Sequence, residues 1–417
     1  MLEIKEMRIL AIETSCDETS ISILEARGGF ESPNFNILAN VVSSQASLHA
    51  QYGGVFPNLA KREHLKNLPL VLEESIRTAN LNREASDVSH VDIIAVTYGP
   101  GLEPALWTGI EFAKNLAQEW KKPLVAVNHM EGHIASVLLN GGTSPTSLKE
   151  LHGASNDQSS IFKTNLEANQ ANAPKKLSFP AVALLVSGGH TEIVLIKKWL
   201  DYEIIGETRD DAAGECFDKG ARMLGLGYPG GPIISAEAEK ARNPKHEIQK
   251  KSGNSKIVSN SEFSALDLTL PRPMLHSKDY DFSFSGLKTA LLYLIRDIRK
   301  ETGKEDISDL VPELAHEFQN AVVETLVAKT IRAVIEHNTK SLILAGGVAN
   351  NKLLQNVLAK AASKSSPHTT LHIPQTLFTT DNGAMIGAAG YLRALNKDYV
   401  QNLDSLSAKG HLRLGGK

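Results

Sequence analysis

The sequence predicts an α/β protein of mixed sheets covered by helices, and three observations carry that prediction. Short runs rich in Val, Ile and Leu recur along the chain and stop at Gly or polar residues, as buried strands do: "RILAIE", "DIIAVTYG", "PLVAVN", "AVALLVSGG", "EIVLIKK" and "SLILAGG". Segments of helical period lie between several of them. Two stretches far apart in the chain share one design, which suggests an internal duplication.

Taken in order, residues 8–26, "RILAIETSCDETSISILEA", read as an apolar strand, a tight polar loop of small residues and a second, alternating strand, hence a β-hairpin. "GIEFAKNLAQEWKK" is an amphipathic helix leading into the strand "PLVAVN". Residues 181–198, "AVALLVSGGHTEIVLIKK", repeat the hairpin design. "PELAHEFQNAVVETLVAKTIRAVIEHN" is a long helix with Pro312 near its start, where a missing N–H costs nothing, and it leads into the strand at 341–345. Two segments break the pattern. Residues 141–178 are rich in Ser, Asn, Thr and Gln and read as a mobile polar insertion. Residues 241–264 are polar and locally basic, either a solvated excursion or an RNA-facing arm.

A chain of 417 residues, 42% hydrophobic, exceeds one ordinary core and can fill two, so two domains are expected. With 22% charged residues and a net charge of -3, the chain is not coated in positive charge. Any nucleic-acid contact must come from a local patch or a partner. The two cysteines, Cys16 and Cys216, form no CxxC pair and no disulfide framework, which fits a reducing compartment. The opening "MLEIKEMRILAIETS" mixes acids and lysines without the apolar core of a signal peptide, and no run of about 18 apolar residues occurs. A cytoplasmic protein without membrane contact is the expectation.

In "PLVAVNHMEGHIASVLL", His129 and His133 stand four residues apart, so on a helix they share one face with Cβ atoms about 5 to 6 Å apart, close enough for one ion. A zinc protease needs Glu directly after the first His to polarise the bound water, whereas here Met130 follows and Glu131 comes one place late. Asp381 in "TTDNGAM" either caps the small-residue helix that follows or adds a carboxylate to the two imidazoles, leaving positions open for substrate oxygens. Three glycine loops, "VSGGHTE", "LGYPGGP" and "LAGGVANN", read as following strands, where backbone N–H groups can approach a phosphate closely. None matches a P-loop or an ordered GxGxxG, although three such loops in a duplicated chain favour a nucleotide ligand.

Taken together and in order, "IETSCDETS", "GPGL", "NHMEGH", "LLVSGGHT", "GECFDKGAR", "YPGGP", "DFSFSGLKTA", "AGGVANN" and "TTDNGAM" closely resemble the tRNA N6-adenosine threonylcarbamoyltransferase family, TsaD, formerly described as O-sialoglycoprotein endopeptidases. The resemblance spans residues 8–394 apart from the two polar insertions. It implies two RNase H-like domains of the actin, sugar kinase and heat-shock ATPase (ASKHA) superfold facing across a cleft, in agreement with the duplicated hairpin. The expected division is 1–140 plus 376–400 for the first domain, 141–178 for an insertion, 179–375 for the second domain and 401–417 for a tail.

The implied reaction transfers threonylcarbamoyl from threonylcarbamoyl-AMP to N6 of the adenosine 3′ of the anticodon in tRNAs reading ANN codons. By position, His129, His133 and Asp381 match the family's metal ligands, holding one divalent ion, Fe(2+) or Zn(2+). Leu185, Val186, Ser187, Gly188, Gly189, Asp218, Gly231 and Asn351 match its adenylate contacts. Glu13 and Asp17 are candidates for a proton acceptor. The resemblance also implies TsaB-like and TsaE-like partner proteins. The sequence departs from the family pattern at Glu103, Trp107, Cys216 and Gly220 and in the length of 141–178, leaving the metal and adenylate positions intact. The competing readings are a metalloprotease of glycoproteins, a small-molecule kinase of the same superfold and a non-catalytic scaffold.

Overall fold

The computed structural model describes residues 6–81, 90–139, 176–241 and 268–415, with the backbone of 146–147. Most of the two polar insertions predicted at 141–178 and 241–264 therefore lies outside the described residues.

All six apolar runs form strands, and so does the second strand predicted in the first hairpin. The first sheet contains β1 (Met7–Glu13), β2 (Glu18–Arg27), β3 (Asn34–Ser44), β4 (Ile93–Gly99), β5 (Leu124–Asn128) and a short β6 (Thr146–Ser147), in the order β5-β4-β1-β2-β3-β6. The second contains β7 (Ala181–Val186), β8 (Thr191–Lys198), β9 (Asp201–Glu207), β10 (Ser341–Ala345) and β11 (Thr370–His372), in the order β11-β10-β7-β8-β9. In the first sheet β1 and β3 run antiparallel to β2, while β4 lies parallel to both β1 and β5. In the second sheet β7 and β9 run antiparallel to β8, while β10 lies parallel to both β7 and β11. The duplication suggested by the two hairpins is thus a repeat of a whole five-strand topology.

The pleat explains why the strands read as continuous apolar runs. Ile9 and Ala11 of β1 face one core, and Leu10 and Ile12 face another on the opposite side of the sheet. In β7, Ala181, Ala183 and Leu185 join the same core as Ile9, while Val182, Leu184 and Val186 face a third. Both sheets therefore bury one face against a shared central layer. That layer holds the short helix α4 (His129–Ala135) and the C-terminal helix α10 (Gly383–Leu395). The outer face of the first sheet is covered by α2 (Pro57–Thr78) and α3 (Glu103–Trp120). The outer face of the second packs against α5 (Ala213–Met223), α6 (Gly230–Ala241), α7 (Ser285–Thr302), α8 (Val311–Glu336) and α9 (Lys352–Ser365). The remaining helix, α1 (Ala46–Ala50), follows β3.

Small residues let α4 and α10 cross closely. A Cβ on Gly132 would come within 2.8 Å of Ile386 Cδ1, so the glycine between the two histidines has a packing reason. The last residues fold back on the first sheet: Val400 N donates to Leu124 O at 2.8 Å, Lys409 N to Tyr98 O at 2.8 Å, and Gly101 N to Gly410 O at 3.1 Å.

Each of the four residues that depart from the family pattern has a local contact. Glu103 Oε1 accepts from Gly410 N at 3.4 Å, tying the tail to α3. Gly220 lies so close to Phe318 that a Cβ would stand 2.6 Å from its ring. Cys216 is fully buried, its thiol 3.8 Å from Phe284 O. Trp107 is half-exposed, with Lys114 Nζ 5.5 Å from its ring centre. No helix among the described residues is long and apolar enough to cross a membrane.

Candidate metal centre

The strand β5 ends at Asn128, whose side chain accepts from Met130 N at 2.8 Å and Glu131 N at 3.3 Å, so α4 begins at His129 with its N-terminus capped. One helical turn then sets His129 and His133 on a common face, ring centres 4.7 Å apart. Asp381 arrives from the other end of the chain, at the start of α10. It is not the cap of that helix, because Asn382 Oδ1 takes that role by accepting from Met385 N at 3.1 Å. The Asp381 carboxylate is thereby left for the histidines: its Oδ1 is 3.4 Å from His129 Nε2 and 3.3 Å from His133 Nε2.

These residues fit a divalent ion. In a tetrahedral shell with metal–nitrogen bonds of about 2.0 to 2.1 Å, ligand atoms stand about 3.4 Å from one another. The ligand atoms of His129, His133 and Asp381 all lie within 4.8 Å of each other. His133 is fully buried, yet neither ring nitrogen has a hydrogen-bond partner, since Nε2 is near Asp381 without being aligned for a bond. A buried imidazole left unbonded is costly unless something else accepts its lone pair. The Asp381 side chain retains 22% exposure, so the cluster opens on one side.

The field around the cluster favours a cation. Burial alone would lower the His129 pKa, but the Asp381 and Glu13 carboxylates hold it well above the ordinary histidine value. Burial likewise pushes Asp381 and Glu13 up, and in both the neighbouring His129 wins, holding them below the usual carboxylate range.

Glu13 stands behind His129. Its Oε2 is 3.1 Å from His129 Nδ1 and accepts from Thr97 Oγ1 at 2.5 Å, and its Oε1 accepts from Ser15 N at 2.5 Å. Ser15 Oγ also lies 3.1 Å from His129 Nδ1. Fully buried and engaged on both oxygens, Glu13 orients the ring, as outer carboxylates orient metal-bound histidines. Asp17 lies on the turn of the first hairpin, 9% exposed, and its charge together with that of Asp218 raises the Tyr228 pKa after burial. The Tyr228 phenol therefore feels carboxylates from both halves. Glu131, the acid that comes one place late for a protease, is turned away into the protein. It accepts from Arg393 Nε at 2.6 Å and Tyr202 Oη at 3.1 Å, so it cannot polarise a water at the histidines.

The glycine loops gather beside the cluster. One prediction about them needs correction: 226–232 joins α5 to α6 and does not follow a strand, because "AGECFDKGARM" runs as helix through Met223. The other two do follow strands, β7 and β10. Gly346, at φ +94°, approaches so closely that a Cβ would be 2.4 Å from Val186 O. Ser187 O accepts from Gly214 N at 3.2 Å, and Asp218 Oδ1 accepts from Gly230 N at 2.7 Å. Asn351 caps α9 by accepting from Leu354 N at 3.0 Å, and its Nδ2 donates to Gln319 Oε1 at 2.8 Å and Ser235 Oγ at 3.2 Å. The chain of contacts brings all three loops to one end of the second sheet.

Leu185 and Val186 are fully buried, so only their backbone can meet a ligand. Gly188 and Gly189 have nothing within 4 Å of where a Cβ would be, and Gly231 has only Phe217 Cβ at 4.0 Å, leaving open backbone. Burial and then the charges of His129 and His133 push the His190 pKa down to about 4, which puts the turn of the second hairpin next to the metal cluster. Sequence reasoning assigned no role to His190, Ser15 or Tyr228, although each lies inside a quoted motif. A wide surface depression of about 630 Å³ between Phe30, Phe179 and Trp199 contains none of these residues.

Two halves of one topology, meeting where a buried His–His–carboxylate cluster adjoins open glycine loops, define an α/β protein of the ASKHA superfold with a candidate metal site. The family model described as "TsaD: tRNA N6-adenosine threonylcarbamoyltransferase" matches residues 36–156 and 160–388, and the chain belongs to that family. It is 41% identical over 409 residues to the tRNA N6-adenosine threonylcarbamoyltransferase of Thermosipho africanus, covering 98% of this chain and 100% of that one. The enzyme of the same name from Staphylococcus epidermidis is 40% identical over 92% of this chain and 91% of its own. Among solved structures, full-length HypF in its phosphate- and nucleotide-bound form aligns with 95% of this chain and 47% of its own at 12% identity and a TM-score of 0.44, too weak a likeness to decide anything. The protein is thus a transferase of the TsaD family.

Proposed function

We propose that the protein transfers threonylcarbamoyl from threonylcarbamoyl-AMP to N6 of the adenosine 3′ of the anticodon in tRNAs reading ANN codons, with His129, His133 and Asp381 as ligands to one Fe(2+) or Zn(2+). The observation that carries this reading is the junction itself: a cation-favouring cluster beside an open glycine turn whose own His190 feels the charges of His129 and His133. Such an ion supplies Lewis-acid polarisation and orientation of substrate oxygens.

The chain's own groups do the rest. Backbone N–H groups of Gly188, Gly189 and Gly231 receive the adenylate, Ser187 holds their turn closed through its own N–H donating to His190 O at 2.9 Å, Asp218 accepts from the ribose hydroxyls, and Asn351 holds the third loop in place. Leu185 and Val186 contribute main-chain position alone. N6 forms a bond to the carbamoyl carbon as the bond from that carbon to the phosphate oxygen breaks and AMP leaves. The N6 proton passes to an acceptor. Glu13 is closed off behind His129, which leaves Asp17 and the departing phosphate for that role.

The same reading divides the chain into 1–140 plus 376–400 and 179–375, with insertions at 141–178 and 241–264 and a tail at 401–417. The packing of α10 on the first sheet supports it. TsaB-like and TsaE-like proteins are the expected partners, and the cytoplasm is the expected compartment. The decisive experiment incubates the purified chain with threonylcarbamoyl-AMP and an unmodified ANN-decoding tRNA, with and without those partners. Modified nucleoside that disappears with a chelator supports the reading. Peptide cleavage, or phosphate transfer from ATP, without nucleoside modification would sink it.

A further inference from the structure

The loop joining α1 to α2 carries two aromatic rings that the mechanism does not use. Tyr52 is 62% exposed and Phe56 54%, and their rings stack at 6.2 Å between centres with an interplanar angle of 29°. Large apolar rings left in water in a stacked pair are uncommon unless something covers them.

The loop is anchored on both sides of the cleft. Phe56 N donates to Nδ1 of the buried His49, whose Nε2 lies 3.1 Å from Gln45 Oε1. Gln45 N donates to Asp17 O at 2.9 Å, and Gln45 Nε2 is 3.5 Å from Nδ1 of His64, whose Nε2 bonds Cys16 O at 2.9 Å. The same hairpin turn places Ser15 against the metal ligand His129. From the opposite half, Arg222 Nη2 donates to Gly53 O at 2.7 Å, one helical turn beyond Asp218. The aromatic pair therefore rims the cleft that holds the site.

Its surroundings are cationic. Lys61, Arg62 and Lys66 on the first turns of α2 are exposed, and one acid among them, Glu63, lies 3.6 Å from Arg62 and 3.7 Å from Lys66. On a chain of net charge -3, this is a local positive rim beside exposed rings. Aromatic faces next to lysine and arginine are how proteins hold unstacked bases of single-stranded RNA: rings stack on bases while cations meet phosphates. The other exposed apolar residues nearby, Leu65 and Leu70, lie two or more helical turns further along α2, and the pair itself is bordered by Gln51, Gly53 and Gly54, so the rings stand apart from any broad apolar face of the kind a docking protein covers.

We propose that Tyr52 and Phe56 form a stacking platform for a nucleobase of the tRNA anticodon loop next to the reacting adenosine, with Lys61, Arg62 and Lys66 on the adjoining phosphates. This rests on the tRNA reading above. Platform and cluster are bonded to the same turn, so a base held on the rings directs its neighbour into the cleft.

The test measures binding of unmodified ANN-decoding tRNA to the full chain with its partner proteins, by fluorescence anisotropy, beside threonylcarbamoyl transfer. Tyr52→Ala and Phe56→Ala should each weaken tRNA binding by roughly tenfold, with Tyr52→Phe close to wild type, as stacking requires. The loss should fall in the KM for tRNA and not in that for the adenylate. Lys61→Ala should lower the slope of log Kd against log salt by about one. Equal thermal melting of the variants verifies that the fold is kept. Wild-type transfer with unchanged tRNA affinity in both alanine variants overturns the platform alone, as does loss of a partner protein in its place. A wild-type assembly that neither binds nor modifies tRNA overturns the tRNA reading and the platform with it.

Discussion

The two halves repeat one topology and put opposite chemistry at the same point of it. Each begins with an antiparallel hairpin, and each hairpin turn faces the junction. In the first half the turn after Glu13 is packed shut. Ser15, Thr97 and His129 close around the carboxylate, and Gly101 comes so near that a Cβ would be 2.6 Å from Ser15 O. In the second half the turn after Val186 is open around Gly188 and Gly189. Glu13 and Glu192, one buried acid from each hairpin, differ in the same way. Glu13 has an imidazole against it and stays charged, whereas Glu192 has only another carboxylate, Glu207, across the strand pair and the more distant Arg413. Burial, then Glu207, raises Glu192 to about 7, and its Oε2 has no hydrogen-bond partner. The contrast teaches that one fold supplies a closed, charged socket where an ion must be gripped and an open, neutral backbone where a ligand must enter.

The largest expected effect tests the socket. His133→Ala removes a ligand that nothing else can replace, so bound metal should fall from about one per chain to near zero. Transfer should drop about 1,000-fold, equivalent to about 4 kcal/mol of transition-state stabilisation. Metal analysis and single-turnover assays measure both, and an unchanged metal content would break the comparison outright.

Next comes the neutral acid on the open side. Glu192 holds its proton more tightly folded than unfolded, about 7 against an ordinary value near ~4.3. Between those limits the folded chain binds more protons, so its contribution is fully present below about pH 4.3 and is lost as pH rises through 7. The loss amounts to about 4 kcal/mol. Glu192→Gln should therefore raise Tm at pH 8 and leave it nearly unchanged at pH 4, as read by calorimetry.

Glu13→Gln asks whether the closed side acts through the metal. It should weaken metal affinity by about 10- to 100-fold, seen in competition with a chromogenic chelator, with activity recovering at saturating metal. Activity lost at full metal occupancy would instead give Glu13 a direct role. The smallest effect belongs to the scaffold: Gly220→Ala pushes a methyl against Phe318 and should cost about 1 kcal/mol in denaturant unfolding, without changing metal content.

Much of this was legible in the sequence for a physical reason. Local periodicity is dictated by whether a strand or helix buries one face or two, so the predicted strands and helices form. The spacing of His129 and His133 determines a shared helical face wherever that helix lies. The misreading of 226–232 has an equally physical source, since a glycine turn between two helices looks in sequence like one after a strand.

By itself the sequence determined the α/β class, the duplicated hairpins, the histidine pair and, through its motifs, the family. Only the tertiary structure decided that Asn382 rather than Asp381 caps α10, that Glu131 turns to Arg393 and Tyr202, and that Glu13 backs His129. It also decided that Arg222 meets the loop of Tyr52 and Phe56. Side-chain direction at the junction depends on partners 116 residues away for Glu13 and 262 for Glu131, and local pattern carries no record of which distant element a buried charge will face.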